Sequence, residues 1–132
     1  MPVLDTTLLI GLERRLPVAL RALERARQDG HLLAPAHAVL EYLSGMDNAL
    51  AELHHLRDAF EVVHTDDSQV LRGAELRAQA RRAGRDRPHW GDIHIAAVAS
   101  LEGTYVVTTN KRHFAQLGVP AWNYESEPEP PA

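Results

Sequence analysis

The 132-residue chain contains no cysteine, which excludes a disulfide framework, a thiolate zinc site and a cysteine nucleophile. That absence fits a cytoplasmic protein. Lysine is almost missing as well: Lys111 is the sole example, and the other thirteen of the 14 basic residues are arginine, the better bidentate phosphate ligand. Long apolar runs are absent. The opening stretch, MPVLDTTLLIGLERRL, has no basic leader, carries Asp5 early and holds an apolar run too short to span a bilayer, so a soluble, non-exported chain without membrane contact is expected. G-x-x-x-x-G-K-[ST], G-x-G-x-x-G and H-E-x-x-H are also lacking, which leaves nucleotide-binding loops and a helical zinc-hydrolase site without support. Charge is nearly balanced once the formal net of -4 is divided: residues 1–124 carry 15 acidic and 14 basic residues, a net of -1. Such a balance neither demands nor excludes a nucleic-acid partner. The remaining acids lie in YESEPEPPA, and its Pro-rich, acidic composition predicts a disordered tail over 125–132 behind one domain at 1–124.

What is present is organised around PHWGDIHIAAVASL, residues 88–101. From Ile93 to Leu101 the residues are apolar or small on nearly every side, the pattern of a helix buried between layers. Pro88 and Gly91 punctuate its start, so Asp92 falls in or just before the first turn, where unpaired N–H groups favour negative charge. Ahead of it, Val3-Leu4 reads as a strand ending at Asp5, with Leu8-Leu9-Ile10 leading into a helix. Pro17 opens a second helix that Asp29-Gly30 closes. His31 to Ala34 is a plausible strand stopped at Pro35, followed by a helix to Gly45 with Glu41 in its middle. Asp47 is placed to cap a helix with Met46, Leu50, Leu53, Leu56 and Phe60 at helical spacing. Glu61 to His64 reads as a third strand, and Asp66-Asp67-Ser68 caps a helix from about Gln69 to Ala83. After the buried helix come a strand at Thr104 to Thr108, a short helix ending near Leu117-Gly118 and an edge strand within Val119 to Asn123. Strands alternating with helices imply an α/β fold on a parallel sheet.

In such a sheet ligands bind beyond the carboxyl ends of the strands, where strand order reverses. Asp5 follows the first strand, Asn110 follows the fourth, Glu41 lies about two turns into the helix after the second, and Asp92 opens the helix feeding the fourth. Each has a plainer explanation: an Asx-turn for Asp5, an exposed helix residue for Glu41, an N-cap for Asp92, a turn residue for Asn110. Together they suggest three carboxylates in one cleft, a cluster stabilised by a divalent cation. Hard oxygen donors suit Mg²⁺ or Mn²⁺, and such an ion acidifies water for phosphodiester hydrolysis.

VLDTTLLI, PAHAVLEYLSG, GDIHIAAVASLEG and VVTTNKRHF resemble, in that order and at suitable spacing, the four motifs of PIN-domain ribonucleases. The nearest likeness is to the VapC-type toxins of bacterial toxin–antitoxin pairs, and it spans residues 1 to about 122. The resemblance implies a three-layer α/β/α fold with a central, mostly parallel sheet of four to five strands. It makes Asp5, Glu41 and Asp92 the acidic ligands of Mg²⁺ or Mn²⁺, with Thr6 and Thr108 supporting them. Asn110 occupies the place in T-x-D where many members carry a fourth acid; it brings no charge, which puts a tightly held second metal in doubt. The implied partners are a second copy of the chain, a cognate antitoxin segment over the cleft, and structured RNA such as tRNA or rRNA.

For RNA contact the sequence offers Arg72, Arg77, Arg81, Arg82, Arg85 and Arg87, of which Arg81, Arg85 and Arg87 are the candidate phosphate ligands, against a solvated helix face as the alternative. Trp90 and His89 lie where they could stack on a base, although structural packing is the expectation for Trp90. The helix with Leu50 and Leu53 offers either an apolar groove for an antitoxin or ordinary core. His37 and Glu41, four apart, fit a transition-metal pair or an ion pair. An aspartyl-phosphate site would use Asp5, Thr108 and Lys111, but Thr6 and Thr7 stand where its second acid belongs. The rival from another class is a PIN-fold module that binds RNA or protein without cutting.

Overall fold

The computed structural model describes residues 1–85 and 88–131. In chain order the elements are β1 (Val3–Leu4), α1 (Thr6–Glu13), α2 (Pro17–Arg27), β2 (Leu33–Pro35), α3 (Ala36–Leu43), α4 (Ala49–Ala59), β3 (Glu61–Val63), α5 (Asp67–Arg82), α6 (Trp90–Glu102), β4 (Val106–Thr108), α7 (Lys111–Ala115) and β5 (Ala121–Asn123). The five strands form one sheet in the order β3-β2-β1-β4-β5, and every pairing is parallel. Chain order runs outward from β1 to β3 and then jumps back across β1 to β4. With right-handed crossovers, the first two connections lie on one face of the sheet and the last two on the other. Strand order therefore reverses between β1 and β4, and the crevice of such a sheet opens at their carboxyl ends. Asp5 and Thr108 to Asn110 stand at those ends.

The apolar run from Ile93 becomes the centre of α6, whose Ile93, Ile95, Ala96, Ala97, Val98 and Ala99 are all buried. Small residues let neighbours come close. A Cβ on Gly73 of α5 would lie 3.2 Å from Ile93 Cγ2, so that glycine sets the spacing of α5 on α6. Gly103 ends α6 in the left-handed region with φ of 63°, a conformation glycine adopts without strain. The Thr104 N–H then reaches back to Ala99 O at 3.0 Å, and the chain turns directly into β4.

Several sequence expectations shift. β2 begins at Leu33 rather than His31 and keeps Pro35, which pairs with Val63 in register and then caps α3 with its φ of -60°. β4 starts at Val106, two residues later than predicted, although Tyr105 O still accepts the Val3 N–H at 3.0 Å. Asn48, not Asp47, caps α4 through Ala51 N–H. The acidic terminus, expected to be disordered, is held against the domain. Glu127 pairs with Lys111 at 2.8 Å and accepts the Asn123 N–H at 3.0 Å, the Trp122 indole donates to Glu127 O at 2.9 Å, and Arg25 binds Glu129 at 2.7 Å. Composition alone favoured disorder because these anchors come from residues distant in sequence. No helix among the described residues is long and apolar enough to cross a membrane.

Candidate active site

Asp5 leaves the end of β1 as the N-cap of α1, its Oδ1 accepting the Thr6 N–H at 2.8 Å. Its other oxygen accepts from the Thr108 hydroxyl at 2.7 Å. Thr108 is fully buried at the end of β4, and its Oγ1 in turn accepts the Asn110 N–H at 2.9 Å. One threonine thus ties the two strand ends at the switch point into a single unit. Thr7 adds a second tie, its hydroxyl accepting the Thr109 N–H at 3.2 Å. From α3, Glu41 Oε2 accepts from the Thr6 hydroxyl at 3.3 Å. Asp92, third residue of α6, is in its first turn; His89, rather than Asp92, holds the cap position.

These residues meet in a cavity of about 410 Å³ lined by Asp5, Thr6, Glu41, Asp92, Asn110 and His113, together with Thr7, Ile10, His89 and Gly91. The structure thus brings together all four polar positions singled out in the sequence and both supporting threonines, Thr108 through its bond to Asp5. Asp5 is 5% exposed, and its carboxyl is pushed up from the ordinary value to about 6. Burial is the main cause. The bonds from Thr108 and Thr6 pull the other way, and the charges of Asp92 and Glu41 add to the rise.

Hard oxygen donors around an electron-rich, partly buried hollow fit a divalent Mg²⁺-like cation. Among the described residues, however, no three acidic or histidine side chains are gathered as a ready-made ligand cluster. Glu41 is drawn toward Thr6 and His37, the latter at 3.4 Å, and Asp92 toward His113 Nδ1 at 3.0 Å. Binding of one ion by all three carboxylates would draw on the lone pairs these contacts leave free, such as those of the second Asp92 oxygen. The same finding leaves the His37–Glu41 pair without a third ligand for zinc. Lys111, needed by an aspartyl-phosphate site, is committed to Glu127 instead.

Two contributors escaped sequence reasoning. His113, on Asp92, was detectable as the i+3 neighbour of Asn110 on a short helix, which places both on one side. Gly91 is the second: a Cβ there would sit 2.6 Å from Glu41 Oε1 and 2.8 Å from His37 Nε2. Both atoms end flexible side chains, so Gly91→Ala is expected to leave thermal stability nearly unchanged while displacing Glu41. Any activity of the site should fall by about tenfold or more, since displacements near 1 Å can cost that much. Unaltered turnover in a folded Gly91→Ala protein would show that Glu41's position is unimportant.

Of the candidate arginines, Arg87 lies outside the described residues. Arg81 and Arg85 are exposed, and with Arg77 and Pro88 they line a hollow of about 280 Å³. The helix ends at Arg82, one residue before the expected Ala83, and does not reach Arg85. Gly84, with φ of 69°, ends it, and the Arg85 N–H bonds to Ala80 O and the Gly84 N–H to Arg81 O, each at 3.0 Å. This closing turn returns Arg85 to the side of Arg77 and Arg81. Trp90, expected to be packed, is 68% exposed. The α4 stripe is divided: Leu56 and Phe60 are buried, Met46 and Leu53 pack against the core, and Leu50 faces outward.

The PIN domain family model matches residues 3–120, nearly the whole chain. The chain belongs to the PIN-domain family. Solved structures agree on the fold of this PIN domain. A chain of FitAcB from Neisseria gonorrhoeae is 20% identical with a TM-score of 0.76, covering 96% of this chain and 100% of its own. A chain of DNA-bound VapBC from Salmonella typhimurium is 21% identical with a TM-score of 0.77, covering 93% and 97%. A chain of a toxin–antitoxin complex from Klebsiella pneumoniae is 20% identical with a TM-score of 0.70, covering 87% and 91%. No curated protein is significantly similar in sequence.

Proposed function

We propose that this PIN domain is a Mg²⁺- or Mn²⁺-dependent endoribonuclease and the toxin of a toxin–antitoxin pair, acting in the cytoplasm on a structured RNA such as tRNA or rRNA. The observation that carries the nuclease reading is Asp5, buried, raised in pKa and sharing one cavity with Glu41 and Asp92 at the sheet's switch point. A buried carboxylate beside two others, all of which would repel phosphate, has little use in a cleft that only binds RNA. Asp5, Glu41 and Asp92 would hold the ion, with the Asn110 amide beside them. When bound, such an ion polarises phosphate oxygens and acidifies a water for attack on phosphorus. The chain's own part is orientation: the Thr6 N–H and Thr108 hydroxyl fix both oxygens of Asp5, and Thr108 fixes the Asn110 turn. His113 Nδ1 holds Asp92 Oδ2, within the same cavity.

An antitoxin partner and a homodimer are part of the proposal, supported by the shared fold with chains of VapBC and toxin–antitoxin complexes. Outward-facing Leu50 and half-buried Leu53 on α4 are candidates for antitoxin contact. Recovery of no small co-encoded protein with the tagged chain would count against that partner. The non-cutting alternative draws on Asn110, which supplies no fourth charge. Asp5→Asn separates the two: the enzyme loses cleavage and keeps RNA binding, whereas a binding module shows no change in any activity.

A further inference from the structure

Trp90 leaves most of its indole in water at the first position of α6, two residues before Asp92. A side chain of that size ordinarily buries about 150–250 Å², so its exposure leaves aromatic surface available to a ligand. The Arg77 guanidinium lies 5.5 Å from the ring centroid, within cation–π range of one face. Beside it, Arg77, Arg81, Arg85 and Pro88 line the hollow described above. Among the described residues none of these three arginines forms an ion pair. Arg85 gives Nη1 to Gln116 O at 2.8 Å and keeps its other donors. An open aromatic face therefore adjoins a cluster of guanidinium groups with no ion pair among the described residues, and the next residues, Gly91 and Asp92, line the carboxylate cavity.

The geometry points to a nucleotide subsite: Trp90 stacks on one unpaired base of the bound RNA, and the phosphate flanking that base enters the Arg77–Arg81–Arg85 hollow. The base must be unpaired or flipped out, because a base inside a duplex already has both faces stacked. The position also answers a need of the cleft, since carboxylates repel the backbone they are to act on and nearby positive charge must hold it. This subsite rests on the nuclease proposal for its biological meaning. An exposed tryptophan among arginines also suits a protein partner; the place of Trp90 directly before Gly91 and Asp92 of the carboxylate cavity favours RNA.

The test is binding, separated from cleavage by using Asp92→Asn protein throughout. Tryptophan fluorescence is followed while a short single-stranded RNA of mixed sequence, or the same sequence as a duplex, is added. Trp122 is buried, so quenching reports Trp90. The single strand is expected to quench the fluorescence, and the duplex to bind without quenching. Trp90→Ala should weaken single-strand binding about tenfold, within the range known for base stacking, and Trp90→Phe should restore part of it. Arg77→Gln and Arg81→Gln should each lower the slope of log affinity against log salt by about 0.7. Single-strand binding by Trp90→Ala equal to that of the parent, or equal quenching by duplex, would overturn the subsite. A Trp90→Ala protein that binds RNA normally but loses self-association or antitoxin binding would assign this face to a protein instead. Failure of the nuclease proposal would appear separately, as absent cleavage by the unsubstituted chain with RNA binding intact.

Discussion

Asp5→Asn is expected to raise the melting temperature of the metal-free protein by roughly 10 °C at pH 8, with the gain vanishing near pH 4. The cause is the buried carboxyl, whose affinity for a proton rises in the fold from the ordinary 3.8 to about 6. Between those values the native state holds a proton that the unfolded chain has released, so stability falls as pH rises through the window. The contribution of the protonated Asp5 carboxyl is fully present below about 4 and lost above about 6. Each tenfold change in proton affinity is about 1.4 kcal/mol, so the ionised carboxylate costs roughly 3 kcal/mol at pH 8. For a chain of this length, that corresponds to the stated change in melting temperature. Asparagine avoids the ionisation cost: its carbonyl accepts the Thr6 N–H, and its NH₂ donates to Thr108 Oγ1, reversing the bond that hydroxyl now gives to Asp5. Other titrating groups are common to both proteins and largely cancel in the difference. Saturating Mg²⁺ should shrink or reverse the ranking, because an ion bound only by the native parent stabilises it by mass action. A variant less stable than the parent at pH 8 without metal would mean that Asp5 is a structural cap whose charge the fold needs.

The same carboxyl shows how far the sequence could be read. Strand ends are legible where a short apolar pair meets a polar residue, as at Leu4-Asp5 and Val107-Thr108. The reversal of strand order between β1 and β4 then brings Asp5 and Asn110 together. Glu41 and Asp92 followed from their places on helices packed at the same end of the sheet. What resisted reading depended on contacts between distant residues. The interaction of His113 with Asp92 joins α7 to α6, and Gly91 matters because Glu41 and His37, some fifty residues earlier, occupy the space of its missing side chain. Trp90 was expected to pack because tryptophans usually do, and nothing local shows that the adjoining surface lacks a cover. The hold of Lys111 and Arg25 on the acidic terminus was hidden for the same reason. Arg85 joins Arg77 and Arg81 although it lies beyond the end of their helix. The helix stops, and the turn at Gly84 folds the chain back onto the same side.

Asp92→Asn carries the other large expectation. The substitution conserves size and still offers His113 an acceptor, so the fold should persist; it also removes one of the two charges that raise Asp5. The loss should therefore appear in turnover rather than in folding. Removing a carboxylate from a site that stabilises charge in the transition state commonly costs about a hundredfold or more. The most direct measurement is cleavage of total cellular RNA by purified, antitoxin-free protein, with Mg²⁺, with Mn²⁺ and with chelator, beside folded Asp92→Asn. Discrete cuts that need the metal and fall at least about a hundredfold in the variant are the predicted result. No cutting under either metal by folded protein, or equal cutting by Asp92→Asn, would contradict the three-carboxylate nuclease.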